Sequence, residues 1–341
     1  MKLLTGARYI ADWRLTMKKK AIAHANIALV KYWGKRNASL NIPAVGSISV
    51  TLKDLFTITS VEFRKELEKD ILILNGKRAK TGQEKRVSKF LDLFREEAGI
   101  KTFADVVSEN NFPMGAGLAS SASGFGALVV AASQAANLQH SPAELSELAR
   151  RGSGSAARSI FGGFVEMKTG KKADGSDARA VPLHNENHWP LEMVIFITSE
   201  AKKTTGSTDG MNHTAKTSPY YKAWIDSSGS DLSAVRSAIE QKDFEQLGQI
   251  TEFSCLKMHG LSMAANPGLL YWNSLTVTLI HEIRRLRKKG IPAYFTIDAG
   301  PQIKVICPPG YAQKIKKELR HIDGVKKVLA TSLGSAARVI E

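Results

Sequence analysis

Cysteine is nearly missing from this chain, with Cys255 and Cys307 the two among 341 residues. Two cysteines build no disulfide framework, and neither has a neighbour at metal-ligand spacing, so neither bridges nor a zinc site organise the fold. Long apolar runs are absent as well. No stretch approaches the roughly 18–20 residues of a spanning helix, and the first residues lack a continuous apolar signal segment. The eight histidines show no metal-binding spacing, and there is neither an internal repeat nor a low-complexity segment. A soluble protein of a reducing, cytoplasmic compartment is expected, with no protein metal ligand to name.

Apolar residues make up 43% of the chain, enough for a substantial core. Single cores stop growing near ~250–300 residues, so a chain of this length is expected to split into two domains. Lys and Arg outnumber Asp and Glu by 48 to 32, a net charge of +16. Such an excess suits nucleic acid, an anionic surface or a polyanionic small substrate. Much of it sits in short clusters at 18–20, 284–289 and 314–317, which read as solvated helix faces and ends. The second precedes Gly290 and Pro292, where a helix ends and its negative pole favours cations. Nucleic acid and membrane are therefore not expected partners.

Residues 1–17 read as a dispensable extension, with Met17 a candidate start of the folded unit. Strands are predicted at 21–30 and 47–52, the second alternating Ile48, Val50 and Leu52 with Ser49 and Thr51. A short strand at 71–74 runs into an Asn75-Gly76 turn, and Val87, Phe90, Leu91 and Phe94 give 86–98 helical periodicity. Residues 121–137 are small and apolar on nearly every side, as in a helix buried between layers. Ser141-Pro142-Ala143-Glu144 supplies a cap, a first-turn proline and a capping-box glutamate for the next helix. A strand at 192–198, a polar loop at 199–211 and helical segments at 218–263 and 273–289 follow. The last part reads strand, strand, helix, strand (293–297, 303–307, 311–322, 326–331), a split βαβ unit. The pattern is α+β, with domains expected at 18–195 and 196–341.

Two segments look built for anions. In 111–124, Gly115 and Gly117 can take positive φ and admit a phosphate to the backbone. Ser120, Ser121 and Ser123 then fall at a helix start, where free N–H groups and the helix dipole favour negative charge. A glycine-serine loop that merely caps a buried helix would look similar. The second segment, Gly152-Ser153-Gly154-Ser155, opens a short helix that carries Arg158 one turn inside. Two anion cradles suggest two phosphate groups.

Around 26–36 two lysines, a tyrosine, a tryptophan and an arginine crowd a strand end. Taken with ALVKYWGKRN (28–37), SISVTL (47–52), NNFPMGAGLASSASGFGAL (110–128), RRGSGSAARSIFGGF (150–164) and IDAGP (297–301), in that order, the chain closely resembles the diphosphomevalonate decarboxylases of the GHMP kinase superfamily. The resemblance runs from about Ala21 to the C-terminus. It implies a two-domain α+β fold of the GHMP kinase type, with an N-terminal βαβ layer, a C-terminal split βαβ (ferredoxin-like) domain and the active site in the cleft between them. The implied reaction is ATP-dependent decarboxylation of (R)-5-diphosphomevalonate to isopentenyl diphosphate, with ATP and Mg²⁺ as cofactors. The metal would be held by phosphates and water. A homodimer is implied too.

Residue by residue, the resemblance casts Asp298 as the catalytic aspartate, Lys31 as the lysine beside the reacting hydroxyl and Arg158 as the arginine on the substrate's carboxylate. Ser153, Gly154 and Ser155, with Ala156 and Ala157, match the substrate segment, and Tyr32, Trp33, Gly34 and Lys35 the diphosphate end. Thr208, with Arg86 or Lys85, would complete that grip. For ATP it implies a phosphate loop of Pro113, Gly115, Gly117, Leu118, Ala119, Ser120, Ser121 and Ser123, with Ser121 catalytic near the β- and γ-phosphates. Ser108 and Asn110 would lie beside the base. His24 departs from the proline frequent in the superfamily's opening motif. A relative acting on mevalonate or its monophosphate, as a decarboxylase or a 3-kinase, and a non-catalytic nucleotide- or RNA-binding protein remain as alternatives.

Overall fold

The computed structural model describes residues 18–112, 120–201 and 204–341; the 1–17 extension and residues 113–119 of the glycine loop lie outside them. Along the chain come β1 (Lys19–Val30), β2 (Lys35–Asn37), β3 (Ile42–Pro43), β4 (Ser47–Arg64), β5 (Ile71–Leu74), β6 (Lys77–Arg78), α1 (Thr81–Ala98) and β7 (Phe103–Asn110). Helices α2 (Ser120–Ala135) and α3 (Pro142–Gly152) follow, then a 3-10 turn over Ala156–Ile160, β8 (Phe164–Met167), β9 (Ala180–His184) and β10 (Glu192–Ile197). The remainder is α4 (Ser207–Thr217), α5 (Tyr221–Gln241), α6 (Phe244–Met263), α7 (Ser274–Lys288), β11 (Tyr294–Ile297), β12 (Ile303–Cys307), α8 (Ala312–Leu319), β13 (Lys327–Ser332) and β14 (Arg338–Ile340).

Two large sheets organise the described residues, beside a short ribbon of β2 and β3. The larger runs β14-β1-β4-β7-β5-β6, with β8 pairing β4 and β9 pairing β8. The smaller runs β11-β12-β10-β13, antiparallel throughout. With α7 and α8 as its crossovers this is the ferredoxin-like split βαβ order. Among the described residues no helix is long and apolar enough to cross a membrane.

Residues 21–30 of β1 are buried without a break, because the strand is covered on both faces. A register shift between His24 and Asn26 changes which face each parity serves. Before it, Ala23 lies under α2, so close that a β-carbon at Gly126 would sit 3.1 Å from it. After it, Ile27 and Leu29 join the core shared with Ile195 and Ile306 of the smaller sheet, while Asn26 reaches Ser159. A bulge re-aims side chains in this way. Here it points an amide at the site.

The capping box predicted at Ser141 and Glu144 opens α3, and Asn75 (φ 47°) and Gly76 (φ 73°) make the turn after β5. Other expectations shift. β4 continues past Leu52 to Arg64, and α1 starts at Thr81, ahead of Arg86. The 195/196 boundary falls inside β10, all of which pairs in the smaller sheet. The chain's end returns to the larger one, where Ile340, Val339 and Arg338 pair with Lys20, Ala21 and Ile22.

Candidate active site

Three elements meet at one carboxylate. β1 ends at Val30 and delivers Lys31, whose backbone N–H donates to Ser254 Oγ of α6 (3.0 Å). Its Nζ donates to Ala28 O (3.0 Å) and to Asp298 Oδ1 (2.7 Å). Asp298 follows β11 directly, in a tight turn where Gly300 N donates to its carbonyl (2.7 Å). Lys304 of β12 reaches the other oxygen, Oδ2, at 3.0 Å. The Asp298 side chain keeps 27% of its surface open to the cavity, whereas both lysines are 1% exposed. Burial pushes the carboxyl up, but Lys304 and then Lys31 overcome it and hold Asp298 well below the usual carboxylate range. Behind it, His259 Nε2 donates to Ile297 O (3.2 Å), and burial lowers that imidazole to about 3.

Arg158 sits in the 3-10 turn that the Gly152–Ser155 segment opens. Its Nη1 donates to Ser47 Oγ (2.6 Å), its Nε to Ser49 Oγ (3.0 Å), and its Nη2 to Asn26 Oδ1 (3.1 Å). All three partners are neutral. Guanidinium carries five donors, so N–H groups remain on both terminal nitrogens. Burial lowers Arg158 to about 10, with Tyr32 and Asp298 opposing.

A cavity of about 460 Å³ joins these groups, lined by Lys31, Arg158 and Asp298 within and by Lys35, Arg86 and Thr208 nearer its mouth. Lys35 Nζ donates to Asn41 Oδ1 (2.7 Å) and Thr208 Oγ1 (3.1 Å). Arg86 donates to Gly152 O (2.7 Å) and lies over the Phe125 ring. Tyr32, Trp33, Ser121, Ser153, Gly154 and Ser155 line the same space. Trp33 donates from Nε1 to Thr214 Oγ1 (2.8 Å) and accepts at its carbonyl from Trp224 Nε1 (2.9 Å), tying α4 and α5 to the strand end. Four cationic side chains, Lys31, Lys35, Arg86 and Arg158, face two carboxylates, Asp209 and Asp298. That surplus suits a polyanion.

A second cavity, about 180 Å³, shares Arg86, Ser120 and Ser121 with the first and extends to Ser108, Asn110, Leu72 and Leu74. Ser120 and Ser121 begin α2 at the junction. This suits an elongated ligand, polar at the junction and partly apolar beyond it. Among the described residues no group of three His, Cys, Asp or Glu could hold a metal ion, so a divalent cation would fit here on ligand phosphates.

Several expected positions lie elsewhere. Ser123 is fully buried, its hydroxyl 2.6 Å from that of Thr57, because two residues further along α2 the side chain faces β4. Ala156 and Ala157 pack into cores. Gly34, at φ 99°, shapes the turn, and a β-carbon there would run into the Tyr221 hydroxyl. His24 lies edge-on to Phe56. Lys85, beside Arg86, lines neither cavity. Pro113, Gly115, Gly117, Leu118 and Ala119 fall outside the described residues.

Sequence reasoning assigned no role to Asn26, Ser47, Ser49 or Lys304. The signal for Lys304 is a lone lysine in the apolar strand Ile303-Lys304-Val305-Ile306-Cys307; an unpaired charge has no place there.

The N-terminal part, residues 23–180, matches the model of the diphosphomevalonate decarboxylase-like N-terminal domain, and residues 193–338 match that of the mevalonate 5-diphosphate decarboxylase C-terminal domain. The diphosphomevalonate decarboxylase of Candida albicans is 37% identical over 94% of each chain; that of Saccharomyces cerevisiae is 39% identical over 82% of this chain and 75% of its own. Among solved structures, the mevalonate diphosphate decarboxylase of Staphylococcus aureus superposes with a TM-score of 0.90 at 38% identity, covering 95% of this chain and 98% of that one. The Enterococcus faecalis enzyme gives 0.88 at 41%, covering 96% and 99%. A structure of MDDEF in complex with MVAPP, AMPPCP and magnesium gives the same values. The chain belongs to the diphosphomevalonate decarboxylase family.

Proposed function

We propose that this chain catalyses ATP-dependent decarboxylation of (R)-5-diphosphomevalonate to isopentenyl diphosphate, releasing ADP, phosphate and carbon dioxide. One observation carries the reading: a buried Arg158 held by neutral partners, with N–H groups to spare, lines the same cavity as the clamped carboxylate of Asp298. A β-hydroxy acid presents the two groups that such a pair would receive, a carboxylate and a nearby hydroxyl. The MDDEF relative bound to MVAPP, AMPPCP and magnesium supports both ligands.

In this reading Asp298 accepts a hydrogen bond from the tertiary hydroxyl and aims its oxygen at the terminal phosphoryl group. Held ionised so firmly, it acts chiefly by orienting: as the new O–P bond forms, ADP leaves with the electron pair of the old one and the hydroxyl proton passes to a phosphoryl oxygen. Lys31 offsets the charge that builds on the transferring phosphoryl oxygens. Phosphate then leaves with the C–O electron pair, the bond to the carboxylate supplies the pair of the new alkene, and carbon dioxide departs. Arg158 fixes the carboxylate until that step, its planar fork matching two oxygens. Lys35, Arg86, Thr208, Tyr32, Trp33 and residues 153–155 would hold the diphosphate, and Ser121, at the junction, the transferring end of ATP. Ser108 and Asn110 would lie by the base. Magnesium would supply further neutralisation of phosphate oxygens.

The reading brings a cytoplasmic location with it, suited to the two buried free thiols, and a homodimer, which light scattering would test. Activity is tested by supplying ATP and Mg²⁺ with mevalonate, its 5-phosphate or its 5-diphosphate while ADP and carbon dioxide are followed together. Equal release of both with the diphosphate alone is expected. ADP without carbon dioxide would mean a kinase, a shorter preferred substrate a relative, and neither product a binding protein.

A further inference from the structure

Lys304 stands behind Asp298 and does not line the cavity. Its register partners are Thr296 on β11 and Ile195 on β10. Thr296 Oγ1 donates to Ala28 O of β1 (3.3 Å), so this face of the smaller sheet looks toward β1. Lys31 approaches Asp298 at Oδ1 from the end of β1, and Lys304 approaches Oδ2 from within the sheet. One carboxylate thus sits between two buried ammonium groups from different layers.

Neutralising Asp298 would take one lysine. A second buried ammonium is costly to desolvate, and an apolar side chain would serve this sheet position as Val305 and Ile306 serve theirs. What the second cation adds is independence from the first. A polyphosphate entering the cavity would attract Lys31, and its negative charge would favour a proton on Asp298.

We propose that Lys304 is a positioning residue: it holds the Asp298 carboxylate in place and ionised from behind, leaving Lys31 free to meet the transferring phosphoryl group. The proposal rests on the decarboxylase reading above. The other titratable groups facing Asp298 are His259 and Cys255 of α6 and Arg158 of the 3-10 turn. Burial takes His259 down to about 3 and Cys255 up to about 11, so a limb between pH 5 and 8 would not be theirs.

The test compares full-length wild type with Lys304→Met, Lys304→Gln and Lys304→Arg, measuring kcat and KM for both substrates from pH 5 to 9, with melting curves and ATP-analogue binding. For Met and Gln, kcat should fall by about 100-fold while both KM values stay within about threefold. With both substrates bound, the polyphosphate already favours a proton on Asp298, so losing one of its cations should bring into the measured window an acid limb of kcat that wild type lacks there. Arginine should restore part of the rate and move the limb back toward acid. Unchanged kcat with no such limb in a folded methionine or glutamine variant would overturn the proposal, as would a slow enzyme with no limb in that window. Failure of both variants to fold also counts against it, since Lys304 would then be a support of the fold. Absence of wild-type turnover in the same assay would instead reject the decarboxylase reading.

Discussion

The hydroxyl of Tyr32 occupies the space that a β-carbon on residue 154 would need: built there, that carbon lies 2.5 Å from Tyr32 Oη. Tyr32 and Gly154 line the same cavity, and the Tyr32 hydroxyl is buried without a hydrogen-bond partner among the described residues. Both features fit a phenol kept for a ligand oxygen.

Gly154→Ala should therefore push Tyr32 off its position. Overpacking of this kind costs about 1–3 kcal/mol; if a large share of it appears in binding, KM for 5-diphosphomevalonate rises about tenfold or more. ATP affinity should hold within about threefold. An unchanged KM in a folded variant would mean that Tyr32 is not part of the grip.

Asp298→Asn removes the negative charge between two buried ammonium groups. Losing one partner of a buried cluster costs about 3–5 kcal/mol, nearer the low end here because one side opens to the cavity. The sign follows from the depressed carboxyl. Its stabilisation is fully present above the unfolded-state value near 3.9 and fades only as pH falls through the lower folded value. Wild type should keep this stabilisation at every pH from 5 to 8, and the variant should lack it throughout. Turnover should fall by at least about 1,000-fold, with ATP-analogue binding retained by calorimetry.

Arg158→Lys keeps a charge but loses the fork. A lysine cannot bridge Ser47, Ser49 and Asn26 and still offer two parallel donors to a carboxylate. Carbon dioxide release should fall about 100-fold or more, and ADP should outrun carbon dioxide in single-turnover mixing, because phosphorylation leans less on Arg158 than fragmentation does. Matched decline of the two products would place Arg158 on the first step as well.

Much of this was legible in the sequence where the cause is local. Caps, the Asn75-Gly76 turn and the apolar run of β1 each act over a few residues. So does the clustering of Lys31 to Lys35 and of Ser153 to Arg158, which run as short segments along the cavity wall. The rest depends on distant pairing. β7 carries only small residues at its inward positions, Ala104, Val106 and Ser108, so its hydropathy marks it weakly. Lys53 and Asp54 are surface charges in the midst of β4 and look like a strand's end. The return of β14 to β1 rests on three residues. Lys304 and Asn26 acquire meaning only when Asp298 and Arg158, more than a hundred residues from Asn26 in the case of Arg158, fold against them. Ser123 shows the converse: its type suits a phosphate, but helical geometry turns it to Thr57.

His259 offers a test of the packing beneath the site. The ring is buried and neutral, donating to the Ile297 carbonyl just before Asp298. Burial, with Lys31 and Lys304 adding to it, lowers its folded value to about 3, against about 6.5 when unfolded. Between these values the unfolded chain takes up a proton that the folded one refuses, so stability falls as pH drops below about 6.5. From pH 6.5 to 5 the loss should approach about 2 kcal/mol, at 1.36 kcal/mol per unit. His259→Gln can still donate to Ile297 and does not titrate. Its urea-unfolding free energy should lie below that of wild type at pH 7.5, but the gap should narrow by about 2 kcal/mol at pH 5. A constant gap across that range would mean that the imidazole takes up its proton in the folded protein as well, and that the floor beneath Asp298 opens to water.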